Sequence, residues 1–143
     1  VGRAPEGAHQ GGLNPWVVEI PGQPISVNHL YRQTLVRRGD RTVRALRKDD
    51  GVENYQVLAS MCTKMAVPKP WKEYLAGSPK EYIRMRYWFF LNHDMDCSNA
   101  FKALEDAIAH ALGINDKRFL PCAVAKTTGN KEPYVKVEVS VDG

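Results

Sequence analysis

His93-Asp94-Met95-Asp96-Cys97-Ser98-Asn99-Ala100-Phe101-Lys102 is the stretch on which the reading of this chain turns. A long apolar run, Tyr82 to Leu91, delivers the chain to it. Beyond it Phe101, Leu104, Ile108, Ala111 and Leu112 recur at helical spacing, and Gly113 is a stop signal. A strand that runs into a helix, with carboxylates at the junction, can converge oxygen ligands on a hard divalent cation. Asp116, shortly past Gly113, joins them only if the helix folds back on the strand. Lys102, on the second turn, would then reach a phosphate held by that cation. The constellation points to a metal-dependent phosphodiesterase.

Outward from this junction the pattern is strand and helix in alternation. Residues Glu81 to Leu91 alternate at first, Ile83, Met85 and Tyr87 against Arg84 and Arg86, and become continuously apolar from Trp88. That change predicts a strand passing from a half-exposed to a buried position. Phe119 to Thr127 reads as another strand, Gly129-Asn130 as a turn, and Tyr134 to Val141 as an alternating closing strand. Upstream, Trp16 to Ile20 is a short first strand ended by Pro21-Gly22-Gln23-Pro24. Asp50 caps a helix to about Ala66, with Val52, Tyr55, Leu58 or Ala59, Cys62 and Met65 as its apolar face. Pro68 and Pro70 end it, and Trp71 to Pro79 is a connecting loop. The expected fold is α/β, a small mixed β-sheet packed with two main helices.

The 143 residues make one domain, long enough to bury a sizeable core. Residues 1–14, rich in Gly and polar side chains, read as a flexible leader or expression remnant, and 15–143 as the domain. The first residue is not Met, in keeping with processing or a fragment. No apolar run has the length of a membrane span, which excludes a helical membrane protein as the reading. Cys62, Cys97 and Cys122 cannot all pair and show no CxxC spacing, so a reduced compartment is expected. A net charge of +4 makes a polyanionic partner plausible and no more.

Two basic or polar segments could serve such a partner. Ile25 to Arg32 is a loop whose Ser and Asn side chains bond their own backbone, or one that presents Asn28, Tyr31 and Arg32 to a ligand. Between Arg32 and Lys48 lie Arg37, Arg38, Arg41, Arg44, Arg47 and Lys48, with Gly39-Asp40 as a turn. A charge run is usually a solvated face. Here the charge is of one sign and mostly Arg, which suits forked phosphate contacts.

The series Pro24-Ile25-Ser26-Val27-Asn28-His29-Leu30-Tyr31-Arg32, then Asp96 with Ser98-Asn99-Ala100-Phe101-Lys102, then Asp106-Ala107-Ile108, then Gly113-Ile114-Asn115-Asp116, resembles the RusA family of Holliday junction resolvases. The likeness spans nearly the whole chain after Trp16, and its specificity lies in the order of short pieces. The resemblance implies a small α/β homodimer that resolves four-way DNA junctions by paired nicks, in DNA recombination and repair. It implies Mg2+ as cofactor, with Mn2+ able to substitute, and a cytoplasmic protein of a bacterium or of a bacteriophage in its host. Carried over by position, Asp96, Lys102 and Asp116 are catalytic, with Asp96 and Asp116 as metal ligands. Asn28, Tyr31, Arg32, Arg37, Arg38, Arg41 and Arg44 would contact DNA.

Ser98 departs from the family pattern, which has a second Asp there. In one reading Ser98 is the helix N-cap and Asp94 supplies the missing charge. In the other the site has lost a ligand, leaving a junction-binding protein with weak or no cleavage. His93 and Cys97 raise zinc, but no second spaced pair completes a tetrahedral set. His110 is expected at the rim of its helix's apolar face. Lys102 and Asp106 stand at i and i+4, the spacing of an ordinary helix ion pair, and Asp106 is read as structural.

Overall fold

The computed structural model describes residues 13–26, 31–48 and 50–141, with the backbone alone at 31–38 and 43–48. The elements are β1 (Trp16–Pro21), β2 (Tyr31–Arg38), β3 (Arg41–Lys48), α1 (Asp50–Ala66), α2 (Lys69–Ala76), β4 (Ile83–Phe90), α3 (Ser98–Leu112), a 3₁₀ turn (Asp116–Arg118), β5 (Phe119–Thr127) and β6 (Tyr134–Val141). Four strands form a mixed sheet in the order β1-β6-β4-β5. β6 runs antiparallel to both β1 and β4, and β5 runs parallel to β4. Parallel neighbours need a crossover, and α3 supplies it. The crossover fixes the geography of the site: one end of α3 follows β4, and the other hands the chain to β5.

Period-two alternation builds the core. Ile83, Met85, Tyr87 and Phe89 of β4, Val135, Val137 and Val139 of β6, and Trp16, Val18 and Ile20 of β1 are all buried. Leu104 and Ile108 of α3 and Val52 and Ala59 of α1 are buried in their turn. Burying one large aliphatic side chain this fully stabilises by about 1.5–3 kcal/mol. α1 packs on α3 and on β1. β4 keeps its alternation to the end, contrary to the expected continuous burial: Trp88 and Phe90 turn to the opposite face and stay half-buried. There Phe90 stacks on Tyr134 at 4.5 Å, and the Lys136 amine sits 4.6 Å from the Trp88 ring.

Three further expectations need correction. Among the described residues helices number three, because Lys69–Ala76 is α2 rather than loop. Pro70 falls in the first turn, where a helix needs no N–H donor, so the proline read as a stop marks a start. Trp71 on α2 is buried and donates from Nε1 to the Asn14 carbonyl at 2.7 Å. On α1 the buried side chains are Val52, Tyr55, Gln56, Ala59, Ser60 and Thr63, while Leu58 and Met65 face outward and Cys62 is half-buried. The polar members are accommodated by bonds: Gln56 Nε2 donates to the Ala103 carbonyl at 2.9 Å and Thr63 Oγ1 to that of Ala59 at 2.8 Å.

The Arg-rich segment turns at Gly39-Asp40 as expected, and its backbone is a hairpin. β2 and β3 pair antiparallel from Tyr31↔Lys48 to Arg38↔Arg41, with Gly39-Asp40 as a two-residue turn. Gly39 takes φ +67°, the conformation the first central residue of such a turn requires.

Candidate active site along helix α3

Asp94 and Asp96 lie before α3, but their side chains have different partners. Asp96 Oδ1 accepts from the Ser98 backbone N–H at 3.1 Å and from Ser98 Oγ at 2.9 Å. Ser98 is the first helical residue, and Cys97 at the cap position makes no side-chain cap bond. The N-cap role expected of Ser98 is thus filled by the Asp96 carboxylate, whose charge suits a helix N-terminus. Asp94 is exposed and pairs with Lys126 at 2.9 Å, which holds its carboxyl below the usual range. Lys126 also donates to the Met95 carbonyl at 3.2 Å. Gln23 steadies the loop from the other side, accepting from the Asn92 N–H at 2.8 Å and donating to the His93 carbonyl at 3.1 Å.

Asp116 is brought back to the flank of α3 by the geometry of the helix end. Gly113 adopts φ +71°, and the Gly113 and Ile114 N–H groups close onto the carbonyls of His110 and Ala109. Asn115 then caps the 3₁₀ turn, its side chain accepting from the Lys117 N–H at 2.9 Å. Arg118 anchors that turn by donating to the carbonyls of Pro79 and Glu81. Asp116 so placed lies 3.4 Å from Lys102 Nζ, and Lys102 Nζ lies 3.1 Å from Asp106.

Lys102, Asp106 and Asp116 form one cluster. Lys102 Nζ stands between the two carboxyls. Burial first, and then the neighbouring Asp116 carboxyl, push Asp106 up; Asp106, helped by Lys102, holds Asp116 down. Pairing with Asp106, and next with Asp116, pushes the Lys102 ammonium up. Behind them Glu105 is buried, with Tyr87 donating its phenolic O–H to Oε2 at 3.1 Å. Burial, then the charges of Asp116 and Asp106, push Glu105 up to about 7 against the lowering pull of Tyr87. An open hollow of about 280 Å³ lies at Asp106, His110, Asn115 and Asp116, so the cluster is reachable.

The predicted ligands are therefore dispersed. Among the described residues no three His, Cys, Asp or Glu side chains are grouped to hold a metal. Ser98, which bonds Asp96, and Asp106, which shares Lys102 with Asp116, stand about 12 Å apart along α3 at 1.5 Å per residue. Asp106, read as structural, makes the i to i+4 ion pair with Lys102 that its spacing implied, and Asp116 joins the same amine. What is gathered instead is two carboxylates, Asp106 and Asp116, about the one ammonium of Lys102. Glu105 was missed, although a charge four residues after Phe101 interrupts the apolar stripe and is a legible signal. Lys126 and Gln23 carry no such signal. Among the predicted DNA contacts, Asn28 lies outside the described residues. Tyr31, Arg32, Arg37, Arg38 and Arg44 lie on the hairpin backbone, and Arg41 is exposed beside its turn. His110 is exposed on α3, and no helix among the described residues is long and apolar enough to cross a membrane.

No family model matches the chain, and no curated protein does. Solved structures that align include 2C-methyl-D-erythritol 2,4-cyclodiphosphate synthase from Plasmodium vivax, at 13% identity over 91% of this chain and 100% of that one, with a TM-score of 0.28. The IspF CDP complex from Plasmodium falciparum aligns at 7% identity over 91% and 98%, with a TM-score of 0.29. At such scores the likeness carries no argument about this chain.

Proposed function

We propose that the chain is a magnesium-dependent endodeoxyribonuclease that cuts four-way DNA junctions as a homodimer. The observation that supports this reading is Lys102 held between Asp106 and Asp116, an amine and two carboxylates gathered from a helix and the turn beyond it. Asp106 and Asp116 would hold the cation. When bound, the cation supplies an acidified water and shields charge on the phosphate. Lys102 would offset charge developing on the phosphate or on the leaving oxygen. Asp96, bonded to Ser98 at the other end of α3, is not placed to share that cation. Asp94 is engaged by Lys126 and is not needed as a ligand. Arg37, Arg38, Arg41 and Arg44 would hold the junction arms by their phosphates, with affinity that falls steeply with salt.

A second reading, junction binding without cleavage, is favoured by one observation: Ser98 Oγ occupies Asp96 with a hydrogen bond where the family pattern has a second carboxylate. Nicking of a synthetic four-way junction separates the two. Nicking that requires magnesium or manganese, and that is lost in Asp116→Asn and Asp106→Asn while junction binding persists, supports the nuclease. Tight, junction-selective binding with no nicking in either metal supports the second reading. Indifference to branching defeats both.

A further inference from the structure

The outer face of α1 carries an apolar stripe that is exposed among the described residues. Val57, Leu58, Met61 and Met65 are 54%, 38%, 56% and 86% exposed. Leu58, Met61 and Met65 follow the three-then-four spacing of a helix seam, with Val57 beside it. The same helix turns the polar Gln56, Ser60 and Thr63 inward, so its apolar content is split between two faces. Glu53 and Lys64 are exposed, and the three-turn interval between them sets them on one flank of the stripe. Neither has an ion-pair partner among the described residues.

We infer that this stripe is a contact between two copies of the chain, with their α1 helices antiparallel about a twofold axis between Val57 and Met61. Charge decides the occupant and the direction. Antiparallel pairing sets Glu53 of one copy opposite Lys64 of the other, twice; parallel pairing sets like against like. A phosphate backbone would meet Glu53 and an apolar surface, and is disfavoured. The contact is isologous, so it closes as a dimer rather than growing. One helix face about 25 Å long is small for a specific interface, so association is weak and concentration-dependent. The inference names the surface for the homodimer of the proposed function but does not rest on nuclease activity.

Sedimentation equilibrium in chelator without DNA, from about 1 to about 200 µM protein, reads the association directly. The wild-type chain should pass from monomer to dimer across this range. Met61→Asp should weaken association at least about tenfold while circular dichroism stays that of the folded chain, since Met61 is exposed. Glu53→Lys alone and Lys64→Glu alone should each weaken it about tenfold, and the double reversal should restore it. A wild-type chain that stays monomeric overturns the inference. So does a dimer indifferent to Met61→Asp and to both reversals, which would place the contact elsewhere, such as on the exposed strand β5. Loss of nicking with the dimer intact would count against the nuclease reading alone.

Discussion

Replacing Glu105 by Gln should change how stability depends on pH more than it changes stability itself. Glu105 is buried on α3 with Tyr87 as its partner at 3.1 Å. Burial, reinforced by Asp116 and Asp106, moves its carboxyl from 4.5 up to about 7. The unfolded chain therefore ionises Glu105 near 4.5, while the folded chain keeps the proton to about 7. Glu105 favours the fold fully below the lower value, and that contribution is lost as pH rises through the higher one. The displacement corresponds to about 3 kcal/mol. Gln has no proton to lose and retains an oxygen for Tyr87. In urea unfolding followed by circular dichroism with chelator present, Glu105→Gln should be close to wild type at about pH 4 and up to about 3 kcal/mol more stable at about pH 8. A difference between variant and wild type that stays constant from acid to neutral pH would refute the reasoning.

Other consequences follow from single contacts. Tyr87→Phe leaves a buried carboxyl without its donor and should destabilise by about 1–2 kcal/mol in the same unfolding assay, most of all above neutral pH, because the lost bond lowers the Glu105 pKa. Gly113→Ala must hold φ +71° with a Cβ and should cost about 1 kcal/mol, read as a lower urea midpoint at unchanged slope. Ser98→Asp sets a carboxylate against Asp96 Oδ1, which now accepts from Ser98 Oγ at 2.9 Å. It should lower the melting temperature in chelator and leave the rise with manganese equal to that of wild type, because the proposed cation sits beside Lys102 further along α3; a larger rise would place the cation at Asp96.

How far the sequence was legible depends on whether a signal was local. The strands were readable because alternation in Tyr134 to Val141 and Trp16 to Ile20 directly maps one face to the core. α3 was readable from its apolar spacing and its terminal Gly113, and with it the meeting of Lys102 and Asp116. α2 was not, because Pro70 punctuates a chain in the same way whether it stops a helix or opens one. On α1 the expected face was legible, with Val52, Tyr55, Ala59 and Cys62 in or against the core, but Met65 was misplaced because it continues a second, outward apolar stripe. At the site, the meeting of Asp106 and Asp116 at Lys102 depends on where the 3₁₀ turn lays the chain along α3, a tertiary fact beyond local spacing. Asp94 read as a ligand because Lys126, distant in sequence but adjacent in space, was invisible to it.

Manganese titration monitored by paramagnetic broadening of backbone amide signals tests the proposed cation position most directly. Saturable broadening centred on Asp106 and Asp116, abolished in Asp116→Asn with the fold intact, is the result predicted. Broadening confined to the loop of Asp94 and Asp96, or none that saturates, would contradict a cation seated beside Lys102.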